Sequence, residues 1–253
     1  MQLRLARLES GEPEIFRSFQ GEGPMIGRVR AFIRLSGCNL RCVWCDTAYT
    51  WNWREAGFLH ERDTPGAPHA FDLRSSMVAM AVQDAAHAIL ALAAPGLVIT
   101  GGEPLIQPDA VLALAKAVRA GNRAIALEME TNGTIAPPAE LANLLDLIVV
   151  SPKLTHAGNA PGAALVPAAL AALVGLPQAV FKFVAAQPED VAEVAQIAAH
   201  YAVHPARIWI MPKGITSAQV QGCGAAICDA ALAAGFSYSD RLHIHLFGQA
   251  RGV

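Results

Sequence analysis

"VRAFIRLSGCNLRCVWCD", residues 29–46, joins an apolar, β-branched run to three closely spaced cysteines. The first eight residues read as a buried strand, and the glycine after them ends it. Cys38, Cys42 and Cys45 therefore follow a strand directly, in a C-x3-C-x2-C pattern. Three thiolates on one tight loop can bind three irons of a cubane and leave the fourth iron without a protein ligand. A small molecule that chelates this open iron would receive an electron from the cluster. A zinc site is the rival reading, since Cys42 and Cys45 with Cys223 and Cys228 of "CGAAIC" supply four sulfurs. That site leaves Cys38 idle, and Cys223 and Cys228 lie in an Ala-rich helical stretch where thiols behave as small apolar residues.

Outward from this stretch, further short apolar runs recur: 97–100, 124–130, 147–150, 179–184, 207–211 and 241–247. Helix-length segments lie between them, notably 76–93, 107–121 and 187–202. Pro188, Glu189 and Asp190 form a good first turn for the last of these. Strand and helix in alternation predict a parallel sheet wrapped by crossover helices. Seven strands is one short of a closed eight-stranded barrel. Segment 54–76 is polar, carries Pro65, Gly66 and Pro68 and shows no period, so it reads as a flap-like loop.

Composition fits this picture. The chain has 253 residues, 53% hydrophobic and 16% charged, enough for one α/β domain over 1–253, and no shift in composition marks a linker. A net charge of −2 with scattered Lys and Arg lacks the basic stripe of a nucleic-acid binder, so a small-molecule partner is expected. The start "MQLRLARLES" has no apolar signal core, and the apolar stretch 161–177 is broken by Pro167, so a soluble, cytoplasmic protein is expected with no membrane partner. Five cysteines, an odd number, suit a reducing compartment better than a disulfide framework.

The motifs collect at strand ends: the cysteines, "TGGEP" (100–104), "ETNGT" (130–134), "SPK" (151–153) and "PKG" (212–214). Carboxyl ends of parallel strands are where loops from several strands converge on a ligand. With Trp44 before the last cysteine, the C-x3-C-x2-C loop resembles the radical S-adenosylmethionine superfamily, and "TGGEP" resembles the segment that holds the methionine end of that cofactor. The resemblance implies a [4Fe-4S] cluster on Cys38, Cys42 and Cys45. It also implies S-adenosylmethionine cleaved to methionine and a 5′-deoxyadenosyl radical, with Glu103 accepting from the cofactor's ammonium group.

"FQGEGPMIGRVRAFIRLSGCNLRCVWCDTAYTW" (19–51), followed in order by "TGGEP", "LEMETNGT", "VVSPK" and "FKFV", resembles the 7-carboxy-7-deazaguanine synthases. These convert 6-carboxy-5,6,7,8-tetrahydropterin to 7-carboxy-7-deazaguanine with loss of ammonia, on the route to deazapurines such as queuosine. The resemblance implies an α/β fold, an incomplete TIM-type (βα) barrel. It assigns Phe19, Gln20, Gly21, Glu22, Arg34, Thr100, Glu130, His245 and the carboxylate of Val253 to the pterin. Trp44, Cys45, Asp46, Gly102, Ser151, Pro152 and Lys153 fall to S-adenosylmethionine, as do Met211, Pro212, Lys213 and Gly214, and Thr47 falls to Mg2+. A flavodoxin- or ferredoxin-type reductant and a homodimer are further implications. By residue type alone, Arg34 suits a core ion pair, His245 a satisfied core histidine and Thr47 a turn hydroxyl. A glycyl-radical activating enzyme shares the cysteine spacing, and a zinc-stapled interaction module is the non-enzyme reading.

Overall fold

The computed structural model describes residues 1–53, 58–160 and 162–253. Its first strands are β1 (Gln2–Ala6), β2 (Ile15–Phe19) and β3 (Val29–Leu35). After the cysteine loop and a long connection come a helical turn, α1 (Leu73–Ser76), strand β4 (Met77–Ala81) and helix α2 (Val82–Ala91). Strand and helix then alternate: β5 (Gly96–Gly101), α3 (Pro108–Gly121), β6 (Ala126–Thr131), α4 (Ala139–Leu144), β7 (Leu147–Val150) and α5 (Pro167–Val174). The chain closes with β8 (Ala179–Ala185), α6 (Glu189–Tyr201), β9 (Ile208–Pro212), α7 (Ser217–Ala233), β10 (Ser237–Tyr238) and α8 (Leu242–Phe247).

One sheet runs β10-β9-β8-β7-β6-β5-β3-β1-β4, with β2 also pairing β3. From β3 to β10 every pairing is parallel, whereas β1, β2 and β4 add antiparallel edges. Among the described residues β10 and β4 end the sheet without pairing each other, so the barrel is open, as the seven-strand reading expects.

Register divides each strand between two faces. Ile33, Ile99, Met129, Ile148, Phe181, Phe183 and Ile210 point to the helices and form the core with Val111, Leu114 and Val118 of α3. Fully burying a side chain of this kind contributes about 1.5–3 kcal/mol. The alternate residues Arg34, Thr100, Glu130, Val149, Lys182, Val184 and Met211 line the barrel interior instead. Strict period two thus puts polar groups inside and leaves the greasy face to the helices.

Three expectations are corrected. Residues 241–247, read as the last strand because they form a short apolar run, contain α8, and the short β10 takes the seventh parallel position. The amide of Leu242 donates to Gly21 O at 2.9 Å, which turns the chain away from the sheet edge. Residues 76–93 begin as β4 before turning helical, because Met77–Ala81 pairs along the whole of β1. The expected loop 54–76 ends in α1, capped by Asp72, whose Oδ1 accepts from Ser75 N at 2.9 Å. The first part of that loop, 54–57, lies outside the described residues. No helix among the described residues is long and apolar enough to cross a membrane.

Candidate active site

The cysteine loop and "TGGEP" are built against each other. Gly102 N donates to Leu35 O at 3.0 Å and Glu103 N to Gly37 O at 2.8 Å. Gly101 has φ +137°, and a Cβ on Gly102 would lie 2.0 Å from Gly37 O. Only glycine allows so close a backbone approach. Gly102→Ala is expected to destabilise the chain by about 2 kcal/mol or more, a fall of about 4–8 °C in the unfolding midpoint, which calorimetry measures.

Beneath the loop, Glu103 is fully buried. Its carboxylate accepts from Leu105 N (2.9 Å), Thr131 Oγ1 (2.8 Å) and Asn132 N (2.7 Å). Its side chain is not among those that line the cavity described next, although Gly101 and Gly102 are. Glu103 also fixes Asn132, whose Nδ2 approaches Cys38 Sγ at 3.8 Å.

A cavity of about 1350 Å³ opens at the carboxyl edge of the strands, and all three cysteines line it. Each sulfur meets an N–H donor. Leu40 N lies 3.4 Å from Cys38 Sγ, Asn159 Nδ2 3.2 Å from Cys42 Sγ and Trp51 Nε1 3.3 Å from Cys45 Sγ. Burial pushes the Cys38 thiol up to about 12 and raises that of Cys45, so the thiolates call for a cationic partner. Three sulfurs on one cavity, each with its own donor, fit an iron–sulfur cluster, whose sulfurs are stabilised by such bonds. Among the described residues no three His, Cys, Asp or Glu side chains converge for a single metal ion. The four-sulfur zinc site is therefore not assembled: Cys223 Sγ donates to Gln219 O and Lys213 O, both at 3.5 Å.

Around the thiols lie most of the residues expected for S-adenosylmethionine. Trp44, Asp46, Gly102, Ser151, Lys153, Met211, Lys213 and Gly214 line the cavity, whereas Pro152 and Pro212 do not. Trp44 stacks on His156 with ring centroids 5.6 Å apart, and Lys153 Nζ, 5.7 Å from the Trp44 ring, donates to Ser151 Oγ at 2.8 Å. Thr47 also lines it, its hydroxyl 3.6 Å from Cys45 Sγ. The described part of the long loop covers this side. His60 Nε2 contacts Cys45 O at 2.7 Å, Arg62 donates to Cys45 O at 2.8 Å and to Gln249 Oε1 at 3.1 Å, and Glu61 pairs with Lys213.

Of the residues expected for the pterin, Phe19, Gln20, Gly21, Glu22, Arg34, Thr100, Glu130 and Val253 line the same cavity. Glu130 accepts from Gln20 Nε2 at 3.1 Å and Thr100 Oγ1 at 2.8 Å. Glu22 pairs with Lys182 and with Arg241. Burial opposes ionisation of Glu22, yet these two cations outweigh it and hold the carboxyl well below the usual range. Arg34 Nε donates to Glu14 Oε1 at 2.7 Å, the core ion pair its residue type allows. Glu14 accepts also from Arg251 at 2.7 Å and from Tyr49 Oη at 3.1 Å, and the Arg251 guanidinium sits 3.6 Å from the Tyr49 ring centroid. His245 does not reach the cavity. Its Nε2 lies 3.2 Å from Asp240 Oδ1, and His243 lines the wall instead, because α8 rotates residue 245 away. Sequence reading misses Glu14, Lys182, Arg241, His243 and Arg251. Only Lys182, a charge inside the apolar run "AVFKFV", leaves a local signal.

A three-cysteine loop at the carboxyl edge of an open βα barrel defines a radical S-adenosylmethionine protein, and a Radical SAM superfamily model matches residues 32–158. A 7-carboxy-7-deazaguanine synthase of Pyrobaculum aerophilum is 37% identical over 242 residues, 94% of this chain and 95% of the relative. Those of Halobacterium salinarum (32%; 94% of this chain, 90% of the relative) and Rhodopirellula baltica (30%; 95% and 87%) extend the likeness. The crystal structure of QueE from Escherichia coli superposes with a TM-score of 0.66 over 96% of this chain and 95% of that one, at 24% identity, and shares the fold. The chain belongs to the 7-carboxy-7-deazaguanine synthase family of the radical SAM superfamily.

Proposed function

We propose that the chain is a carbon–nitrogen lyase that converts 6-carboxy-5,6,7,8-tetrahydropterin to 7-carboxy-7-deazaguanine with release of ammonia, in deazapurine biosynthesis. The observation that carries the reading is one cavity lined by all three thiols and by the carboxylates of Glu22 and Glu130. Cys38, Cys42 and Cys45 hold the [4Fe-4S] cluster, which when bound supplies one electron to S-adenosylmethionine and so starts radical chemistry on the substrate. Trp44, Asp46, Gly102, Ser151, Lys153, Met211, Lys213 and Gly214 surround that cofactor. Glu22 and Glu130 accept paired N–H donors from the guanine-like edge of the pterin, a charge-assisted arrangement. Phe19, Gln20, Gly21 and Thr100 shape the same pocket. Arg34, its Nε fixed by Glu14, presents a cation to the substrate carboxylate. The presence of Val253 in the lining supports its assignment to the substrate.

The proposal extends to a single domain, a homodimer, a flavodoxin- or ferredoxin-type reductant and a cytoplasmic setting. The exposed Leu246 and Phe247 support the dimer, and free thiols at all five cysteines support the reducing compartment. A glycyl-radical activating enzyme would need a groove for peptide, whereas Glu130 lies inside the barrel, held by Gln20 and Thr100.

The test is an anaerobic assay with the pterin, S-adenosylmethionine and Mg2+, in which the carboxydeazaguanine is the expected product. Mg2+ is expected to accelerate turnover, and Thr47→Ala to weaken that dependence while S-adenosylmethionine still binds. Mg2+ keeps most of its waters and needs few protein oxygens, so one hydroxyl suffices if substrate provides another ligand. Turnover indifferent to chelators and to Thr47→Ala excludes this role.

A further inference from the structure

Arg241 touches both halves of the cavity. Its side chain is only 7% exposed. One face meets Glu22, with Nε and a terminal nitrogen 3.2 and 3.1 Å from Oε1. The other terminal contacts go to Asp46 on the cysteine loop and to the carbonyl of Gly214 after β9. A guanidinium can do this because its N–H groups diverge from three nitrogens in a rigid plane, whereas an ammonium donates from one nitrogen and does not match partners set apart in that way.

The segment carrying Arg241 is itself stapled to the loop that carries Glu22. Ser239 Oγ accepts from Gly23 N at 2.6 Å, and Leu242 N donates to Gly21 O at 2.9 Å. His243 packs so closely over Gly21 that a Cβ there would fall 2.2 Å from its Nδ1. Glu22 therefore cannot shift without moving Arg241, and Arg241 cannot shift without disturbing Asp46 and Gly214. Lys182 holds the far side of Glu22, so the fork, and not the charge alone, ties the two walls together.

We propose that Arg241 is a positioning residue that couples the two ligand pockets, so that S-adenosylmethionine and the pterin each raise the other's affinity. The inference rests on the functional reading above, in which Glu22 faces the pterin while Asp46 and Gly214 face the cofactor. A ligand that draws on Glu22, or on Asp46 and Gly214, shifts its own side of the site through the shared guanidinium, and the second ligand then meets the other side already adjusted. Linkage makes the effect reciprocal.

The test measures S-adenosylmethionine affinity by anaerobic equilibrium dialysis of the cluster-loaded protein, with and without the carboxytetrahydropterin. No reductant is present, so neither ligand is consumed. In the parent protein the pterin is expected to tighten S-adenosylmethionine binding by about 10-fold, within the usual range of such couplings, and the reverse titration gives the same factor. In Arg241→Gln the ratio falls to about 1. Arg241→Lys keeps a buried cation opposite Glu22 and guards against a folding defect. It is expected to bind each ligand alone and still show a ratio of about 1. A purely structural role would weaken each ligand separately and leave the ratio intact. A ratio of 1 in the parent protein, or one retained in either variant, overturns the coupling role alone. A parent protein that binds S-adenosylmethionine but no pterin overturns the functional reading, and the coupling with it.

Discussion

Cys38→Ala, Cys42→Ala and Cys45→Ala are each expected to give colourless protein with background iron and no detectable turnover. Three thiolates are the fewest protein ligands that hold a cubane in this family of sites, and none of the three has a neighbour able to replace it. Cys45 is fixed by its backbone, whose carbonyl accepts from His60 and Arg62, and by the Trp51 indole at its sulfur. Cys38 and Cys42 take their donors from Asn132 and Asn159, on loops after β6 and β7. The spare thiols do not compensate. Cys223 lines the cavity but lies on α7 and turns its sulfur to carbonyls of Lys213 and Gln219. Cys223→Ala and Cys228→Ala should therefore load iron like the parent protein. Iron analysis and the visible absorption after anaerobic reconstitution decide the matter, and full loading in any of the three loop variants would sink the assignment.

The parallel half of the sheet is legible in the sequence because its strands are short apolar runs separated by helices with ordinary start and stop signals. Pro108 and Asp109 open α3 as their types predict, and Glu189 and Asp190 do so for α6. Legibility fails where pairing comes from far away. Met77–Ala81 becomes a strand because β1 lies beside it, more than 70 positions back, and no local residue announces this. Residues 241–247 form a short apolar run like a strand, but β10 already holds the edge beside β9, so the segment packs as a helix with Ile244 buried.

The site divides in the same way. The cysteine loop and the glycines of "TGGEP" are readable from their spacing at strand ends, whereas the polar residues on inward strand positions are assigned only through the family resemblance. The network behind them is not readable. Lys182 meets Glu22 across 160 positions and Arg241 meets it across 219, so only the folded barrel makes them neighbours. Glu103 stands between the two cases, since its motif is local but its donors from Leu105, Thr131 and Asn132 come together only where β6 lies beside β5.

Glu130→Gln is expected to reduce kcat/KM for the pterin by tens to thousands of times while leaving iron content and S-adenosylmethionine binding unchanged. Glu130 occupies an inward position of β6, paired in register with Val149. Its two oxygens are oriented separately, Oε1 by Gln20 and Oε2 by Thr100. Both partners donate, so the carboxylate keeps a fixed plane and retains lone pairs for a ligand. A pterin edge offers a ring N–H beside an exocyclic amine, two parallel donors that a carboxylate can accept together. Glutamine replaces one acceptor with an N–H2 group that faces a donor, so one bond is lost and a donor is left opposed. Losing a charge-assisted pair costs on the order of 2–5 kcal/mol, which sets the expected fall in rate. The side chain is nearly isosteric, so packing around β6 is preserved and the unfolding midpoint should move little. The side-chain bonds of Glu130 go to Gln20 and Thr100 and not to the thiols, and for this reason the cofactor side should be indifferent to the change. Steady-state kinetics on variants reconstituted to equal iron content measure the effect. Turnover within twofold of the parent enzyme would remove Glu130 from the substrate and leave it as a structural anchor for Gln20 and Thr100.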